Sequence, residues 1–117
     1  MTTETKRTAA QPFVAFEIAL EVIGSLRDVV GLIRMHDAKV AQQIVTSASS
    51  IAANVAEANR RVGRDRLHLF RIAAGSAAET RAHLRVALAW GWIEPKRVER
   101  AFELLDRELG LLWGLTH

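Results

Sequence analysis

Residues 43–61 read QIVTSASSIAANVAEANRR. Within this run Ile44, Ala48, Ile51, Val55 and Ala58 recur at intervals of four, three, four and three. That spacing stacks side chains along one face of a helix. Beside them runs a second stripe, Ser47, Ser50, Asn54, Glu57 and Arg61, at intervals of three, four, three and four. An apolar seam is what a helix brings to a bundle core. The polar stripe is open to three readings: an active site, a grip on something charged, or a polar seam inside the bundle.

Working outward, Asp37 is placed to cap this helix at its start and Gly63 to stop it near Arg61 or Val62. Upstream, Pro12 suits a first helical turn, and the spacing predicts a helix from there to about Met35. Phe16, Ala19, Ile23, Leu26, Val30 and Ile33 form a heptad seam. Ile18, Val22, Val29 and Leu32 lie to one side of it, widening the apolar arc to roughly 200°, beyond the ~100° stripe that one core requires. This helix therefore needs a second neighbour, which the reading assigns to another subunit. Downstream, Asp65 is expected to cap a third helix that runs to Trp90 and ends at Gly91. Glu94-Pro95 opens a fourth, with Glu94 kept out of the helix by the proline after it and Val98, Phe102, Leu105, Leu109 and Leu112 as its core stripe. The chain has no tyrosine and no alternating β-branched run that would signal strands. Connections of two to six residues make successive helices antiparallel neighbours. The expectation is an all-α protein: residues 1–11 a disordered tail, residues 12–117 one antiparallel up-down-up-down four-helix bundle.

The totals exclude several classes of function. The chain has 117 residues, half of them hydrophobic and a quarter charged, enough for one soluble domain. No apolar run approaches the ~18 residues of a membrane span, and MTTETKRTAAQ carries no hydrophobic signal core. A cytoplasmic location is expected. Without cysteine there is no disulfide framework, thiolate nucleophile or cysteine-held zinc. Glu79 and His83 stand four apart on the third helix, not the three apart of a Glu-x-x-His di-iron motif, and no second such pair exists. No G-x-S-x-G turn or phosphate-cradling glycine loop appears. No catalytic residue, metal or cofactor is assigned.

Charge is what remains. Residues 1–59 carry five basic and six acidic groups, residues 60–117 eleven and seven. Arg60, Arg61, Arg64, Arg66, Arg71, Arg81 and Arg85 face only Asp65 and Glu79 across residues 60–85. Arginine bonds two phosphate oxygens at once, so these seven are the candidate nucleic-acid contacts; a merely solvated face is the alternative. Helical phase gathers Arg71, Arg81 and Arg85 on one arc of the third helix, with Ala74, Ala78 and Ala82 between them. Trp90, Trp92 and Trp113 are expected to pack inside the bundle rather than to stack on bases. Binding of this kind would be weak, salt-sensitive and tolerant of sequence.

QIVTSASSIAANVAEANRR, followed by RIAAGSAAE (71–79) and ALAWGWI (87–93), resembles the bacterial four-helix-bundle proteins named for 23S rRNA intervening sequences. The match covers residues 34–93 closely and the outer helices by pattern. Gln43, Ile44, Ser50, Ile51, Asn54, Ala56, Glu57, Arg61, Ile72, Ala73, Gly75, Ser76 and Glu79 fall on the family's pattern. Val45 and Thr46 replace its usual pair of arginines, and Ala58 its glycine. The resemblance implies a ring-shaped homopentamer and kinship with accessory proteins of diversity-generating retroelements, which bind nucleic acid and a reverse transcriptase. On this reading Ser50, Asn54, Glu57, Ser76 and Glu79 form a structural polar seam between helices or subunits, with Arg61 as partner of Glu57 or Glu79.

Overall fold

The structure is a computed structural model that describes residues 3–117, with side chains from Gln11 onward. Among the described residues there are four α-helices: α1 Thr3–Arg34, α2 Ala38–Ala58, α3 Gly63–Ala89 and α4 Glu99–Thr116. A single 3₁₀ turn, Pro95–Val98, leads into α4. The molecule measures 50 × 26 × 19 Å. Its long axis matches the roughly 48 Å that the 32 residues of α1 span at 1.5 Å each.

The principal contacts run α1–α2, α2–α3, α3–α4 and α4–α1, so each helix touches two neighbours around the core. All five residues of the α2 seam, Ile44, Ala48, Ile51, Val55 and Ala58, are buried. Asp37 caps α2 as the sequence predicts: its backbone is extended, and its Oδ1 accepts from the Val40 amide at 2.9 Å.

Besides the end of α2, which falls at Ala58 and not near Arg61 or Val62, three boundaries and one partner differ from expectation. First, α1 starts at Thr3, ahead of Pro12, so the part of the expected disordered tail from Thr3 on is helical backbone; Met1 and Thr2 lie outside the described residues. A proline inside a helix removes one N–H, and good helix formers such as Glu4, Lys6, Ala9 and Ala10 carry the helix past it. Second, α3 opens at Gly63, with Val62 as its cap residue and Asp65 in its first turn. There the Asp65 charge meets the positive end of the helix dipole without capping it. Gly63 has φ +63°, a left-handed value that glycine adopts without strain. Third, the helical register of α4 begins after the 3₁₀ turn. Glu94 is extended before Pro95, as expected.

The partner of α1 is the larger correction. Its broad apolar arc is covered within the chain, by α2 on one side and α4 on the other. Ala15, Ile18, Ala19, Val22, Leu26, Val29 and Ile33 are buried, and Phe16, Ile23, Val30 and Leu32 pack against them. Phe13, Leu20 and Met35 are the large apolar side chains of α1 and its end that remain exposed among the described residues. Ile23 and Val30 stay partly open, beside Val45 of α2.

The interior divides into two clusters. The larger includes Ile18, Val22, Ile44, Ile51, Ala77, Leu84 and Leu105. The smaller joins Ala15, Val55, Ala58, Phe70, Ala73 and Leu112.

Candidate nucleic-acid interface

The seven arginines fall into two groups. Arg61 bonds Glu57 one turn back on α2, at 2.9 Å. Arg66 donates to the Ala58 carbonyl at 3.0 Å and lies 4.9 Å from the centre of the Phe70 ring. It thereby closes the exposed end of α2, where helix carbonyls lack partners. Arg81 turns toward α4, bonding Asp106 at 2.9 Å and lying 5.2 Å from the Phe102 ring. Arg66 and Arg81 thereby tie one helix to another, whereas Arg61 pairs only within its own segment. The phase of Arg81 explains the difference from the expected arc: one hundred degrees per residue places it at the α4 edge of α3.

Arg60, Arg64, Arg71 and Arg85 are exposed and form no ion pair among the described residues. Arg64, Arg71 and Arg85 follow one another on α3 at seven and fourteen residues. They lie within an arc of about 60°, at steps of about 10 and 21 Å. Gly75, Ala78 and Ala82 between them are exposed and small, so nothing bulky screens the guanidinium groups. Unpaired like charges in a row repel, and a polyanion laid along them relieves that repulsion.

The polar stripe resolves into two parts. On the inner side, Ser47 and Thr80 share a hydrogen bond of 2.7 Å, and Ser50 and Ser76 one of 2.9 Å. Thr80 also donates back to the Ser76 carbonyl at 2.8 Å, and the Asn54 amide donates to the Ser50 carbonyl at 2.8 Å. A continuous hydroxyl ladder thus joins α2 to α3. Each such bond contributes about 1 kcal/mol net, and a buried partner left alone costs about 1–3 kcal/mol. On the outer side, Glu57 and Glu79 reach solvent. Glu57 takes Arg61, and Glu79 lies 3.4 Å from His83. Of the five seam residues, Ser50, Asn54 and Ser76 therefore meet within the chain, while Glu57 and Glu79 pair along their own helices. No group of three metal-ligating side chains gathers around Glu79 and His83 among the described residues.

Two features escape the sequence reading. Trp90 and Trp113, expected to pack, are 70% and 64% exposed. Glu108, assigned no role, is fully buried on α4 with neither carboxylate oxygen bonded. Burial pushes its carboxyl up from the ordinary carboxylate range to about 8, against the smaller opposing pull of Arg107. The signal was present: Glu108 lies three residues after Leu105 and four before Leu112, the phase of the core stripe.

No helix among the described residues is long and apolar enough to cross a membrane. A crystal structure of a protein of unknown function from the S23 ribosomal protein family of Bacteroides thetaiotaomicron is similar to this chain in fold. The TM-score is 0.77 at 23% sequence identity, covering 87% of this chain and 97% of that one. Comparison with curated proteins finds no match. The family model for 23S rRNA-intervening sequence proteins matches residues 14–114. That span takes in the α2 seam, the hydroxyl ladder and the arginine row alike, and the chain belongs to the family of 23S rRNA-intervening sequence proteins.

Proposed function

We propose that the chain is a non-enzymatic accessory factor, an antiparallel up-down-up-down bundle that self-associates and holds RNA or DNA through arginine–phosphate contacts without reading sequence. The observation that carries this is the unpaired row Arg64, Arg71 and Arg85 on the outer face of α3. The antiparallel arrangement has support in the ladder, since Ser47 meets Thr80 while Ser50 meets Ser76: α2 ascends as α3 descends. Assembly as a homopentameric ring, a cytoplasmic location, a reverse transcriptase as protein partner and kinship with retroelement accessory proteins are carried over from the resemblance.

Binding of generic RNA and duplex DNA measured across a salt series tests the reading. Four free arginines give a slope of log affinity against log salt of about −3 to −4 per protomer. Replacing Arg64, Arg71 and Arg85 together by glutamine should flatten that slope and lower low-salt affinity at least tenfold. Absence of binding at low salt overturns the reading.

A second reading, a protein-interaction scaffold, has its own observation. Ile23, Leu26, Val30, Ile44, Val45 and Ala48 line an open apolar groove of about 310 Å³ between α1 and α2. It predicts self-association that is indifferent to the three arginine replacements.

A further inference from the structure

Three flat rings converge where the α1–α2 turn meets the α3–α4 turn. His36 lies nearly parallel to Trp92, with ring centres 6.0 Å apart and planes 7° off. Trp90 lies parallel to the same Trp92, again at 6.0 Å, with planes 10° off. Trp92 is half-buried and shared between them, whereas Trp90 is 70% exposed.

Backbone bonds at the end of α3 set this arrangement. Trp90 caps α3 at its C-terminus, and Gly91 follows with φ +75°. The Gly91 amide bonds the Leu88 carbonyl and the Trp92 amide bonds the Ala87 carbonyl, each at 3.0 Å. This is a Schellman closure, in which a left-handed glycine folds the chain back on the last turn. It brings two indoles that are two residues apart into a parallel pair. A tryptophan is among the costliest side chains to leave in water, yet Trp90 is fixed with most of its surface outside.

Four cations lie within six residues of these rings along the chain. Arg34, Lys39, Lys96 and Arg97 are exposed and form no ion pair among the described residues. Residues 34–39 and 90–97 hold only two acids beside these four cations, Asp37 and Glu94. The Asp37 carboxylate is already committed to the Val40 amide.

We propose that this end of the bundle binds unpaired nucleotides, with a base stacking on Trp90 and adjacent phosphates meeting Arg34, Lys39, Lys96 and Arg97. Aromatic faces framed by cations are how sequence-tolerant sites hold single strands. A duplex hides its base faces, so this site takes single strands where the α3 arginine row takes either form. The site lies about 30 Å from the arginine turn at Arg60, the length of the 21 residues of α2. It rests on the nucleic-acid reading above, but on different residues.

The full chain carrying Trp113→Phe leaves Trp90 and Trp92 as its only indole emitters. It should be titrated at low salt with a short oligothymidylate and with an abasic deoxyribose-phosphate chain of equal length. Oligothymidylate should quench the emission, and the abasic chain should bind more weakly without quenching. Trp90→Leu, which keeps the bulk and loses the ring, should weaken oligothymidylate binding about tenfold; Trp90→Phe should retain most of it. Circular dichroism confirms that the variants fold. Unchanged affinity in Trp90→Leu, with loss on replacing Arg64, Arg71 and Arg85, overturns the platform and leaves the arginine row standing. No binding of either chain overturns both. Two other results identify a different occupant and refute the proposal: a changed oligomer mass for Trp90→Leu in light scattering, or emission that shifts on anionic lipid vesicles and not on oligothymidylate.

Discussion

Glu108 is the residue at which local chemistry and fold disagree most. Its carboxyl is buried, unbonded and held protonated to about pH 8. The unfolded chain releases that proton near its ordinary value of 4.5. Between these two values the unfolded state binds fewer protons than the folded one, so stability falls as pH rises from about 4.5 to about 8 and levels off above. Each unit of separation corresponds to about 1.4 kcal/mol, so the loss amounts to several kcal/mol. Glu108→Leu should remove this slope in urea melts recorded from pH 5 to 9, and should be the more stable protein at pH 9. Equal slopes in the two proteins would mean that the carboxyl ionises freely in the fold. The hydroxyl ladder makes a second residue-scale case. Thr80→Val removes the shorter bond of the buried Ser47 hydroxyl, leaves it only a 3.3 Å bond to the Ile44 carbonyl, and should cost about 1 kcal/mol. Adding Ser47→Ala should recover part of that loss, a coupling that a double-mutant cycle reads directly.

At the scale of the helix, most of α2 was legible because its signals agree. The Asp37 cap and the apolar period point one way, and the five seam positions are all buried. Asp37→Ala should cost about 1 kcal/mol in thermal unfolding, since it removes the one side-chain bond to the first turn of α2. α1 was legible as a helix but not in its partner. An apolar arc of a given width says that two neighbours exist, not which chain supplies them, and here α2 and α4 both come from within. Arg81 shows the same limit from the polar side. Its charge was visible in the sequence, but its partners Asp106 and Phe102 lie twenty-five and twenty-one residues away and are set by packing alone. Trp92 packs against the larger cluster as expected, but Trp90 and Trp113 were misplaced because indoles usually seek the core, whereas the turn at Gly91 fixes Trp90 at the surface.

At the scale of the whole molecule, the proposed self-association can be tested at two carboxylates of the polar stripe. Glu57 and Glu79 are half-exposed and paired only along their own helices, so neither contributes more than about 0.5 kcal/mol to an isolated bundle. If they lie between subunits, Glu57→Ala or Glu79→Ala should lower the oligomer mass seen by light scattering while leaving the helical content unchanged. An unaltered mass places both residues outside the subunit contact. The divided interior carries a consequence of a different kind. Every helix crosses from one apolar cluster to the other, between Ala15 and Ile18 on α1, Ala52 and Val55 on α2, Ala73 and Ala77 on α3, and Leu105 and Leu112 on α4. On α4 the crossing point is Glu108. A core interrupted at that level need not open all at once. Amide protons around Phe70, Val55 and Leu112 should therefore exchange with deuterium through a cheaper partial opening, while those around Ile44 and Leu84 wait for the chain to unravel completely.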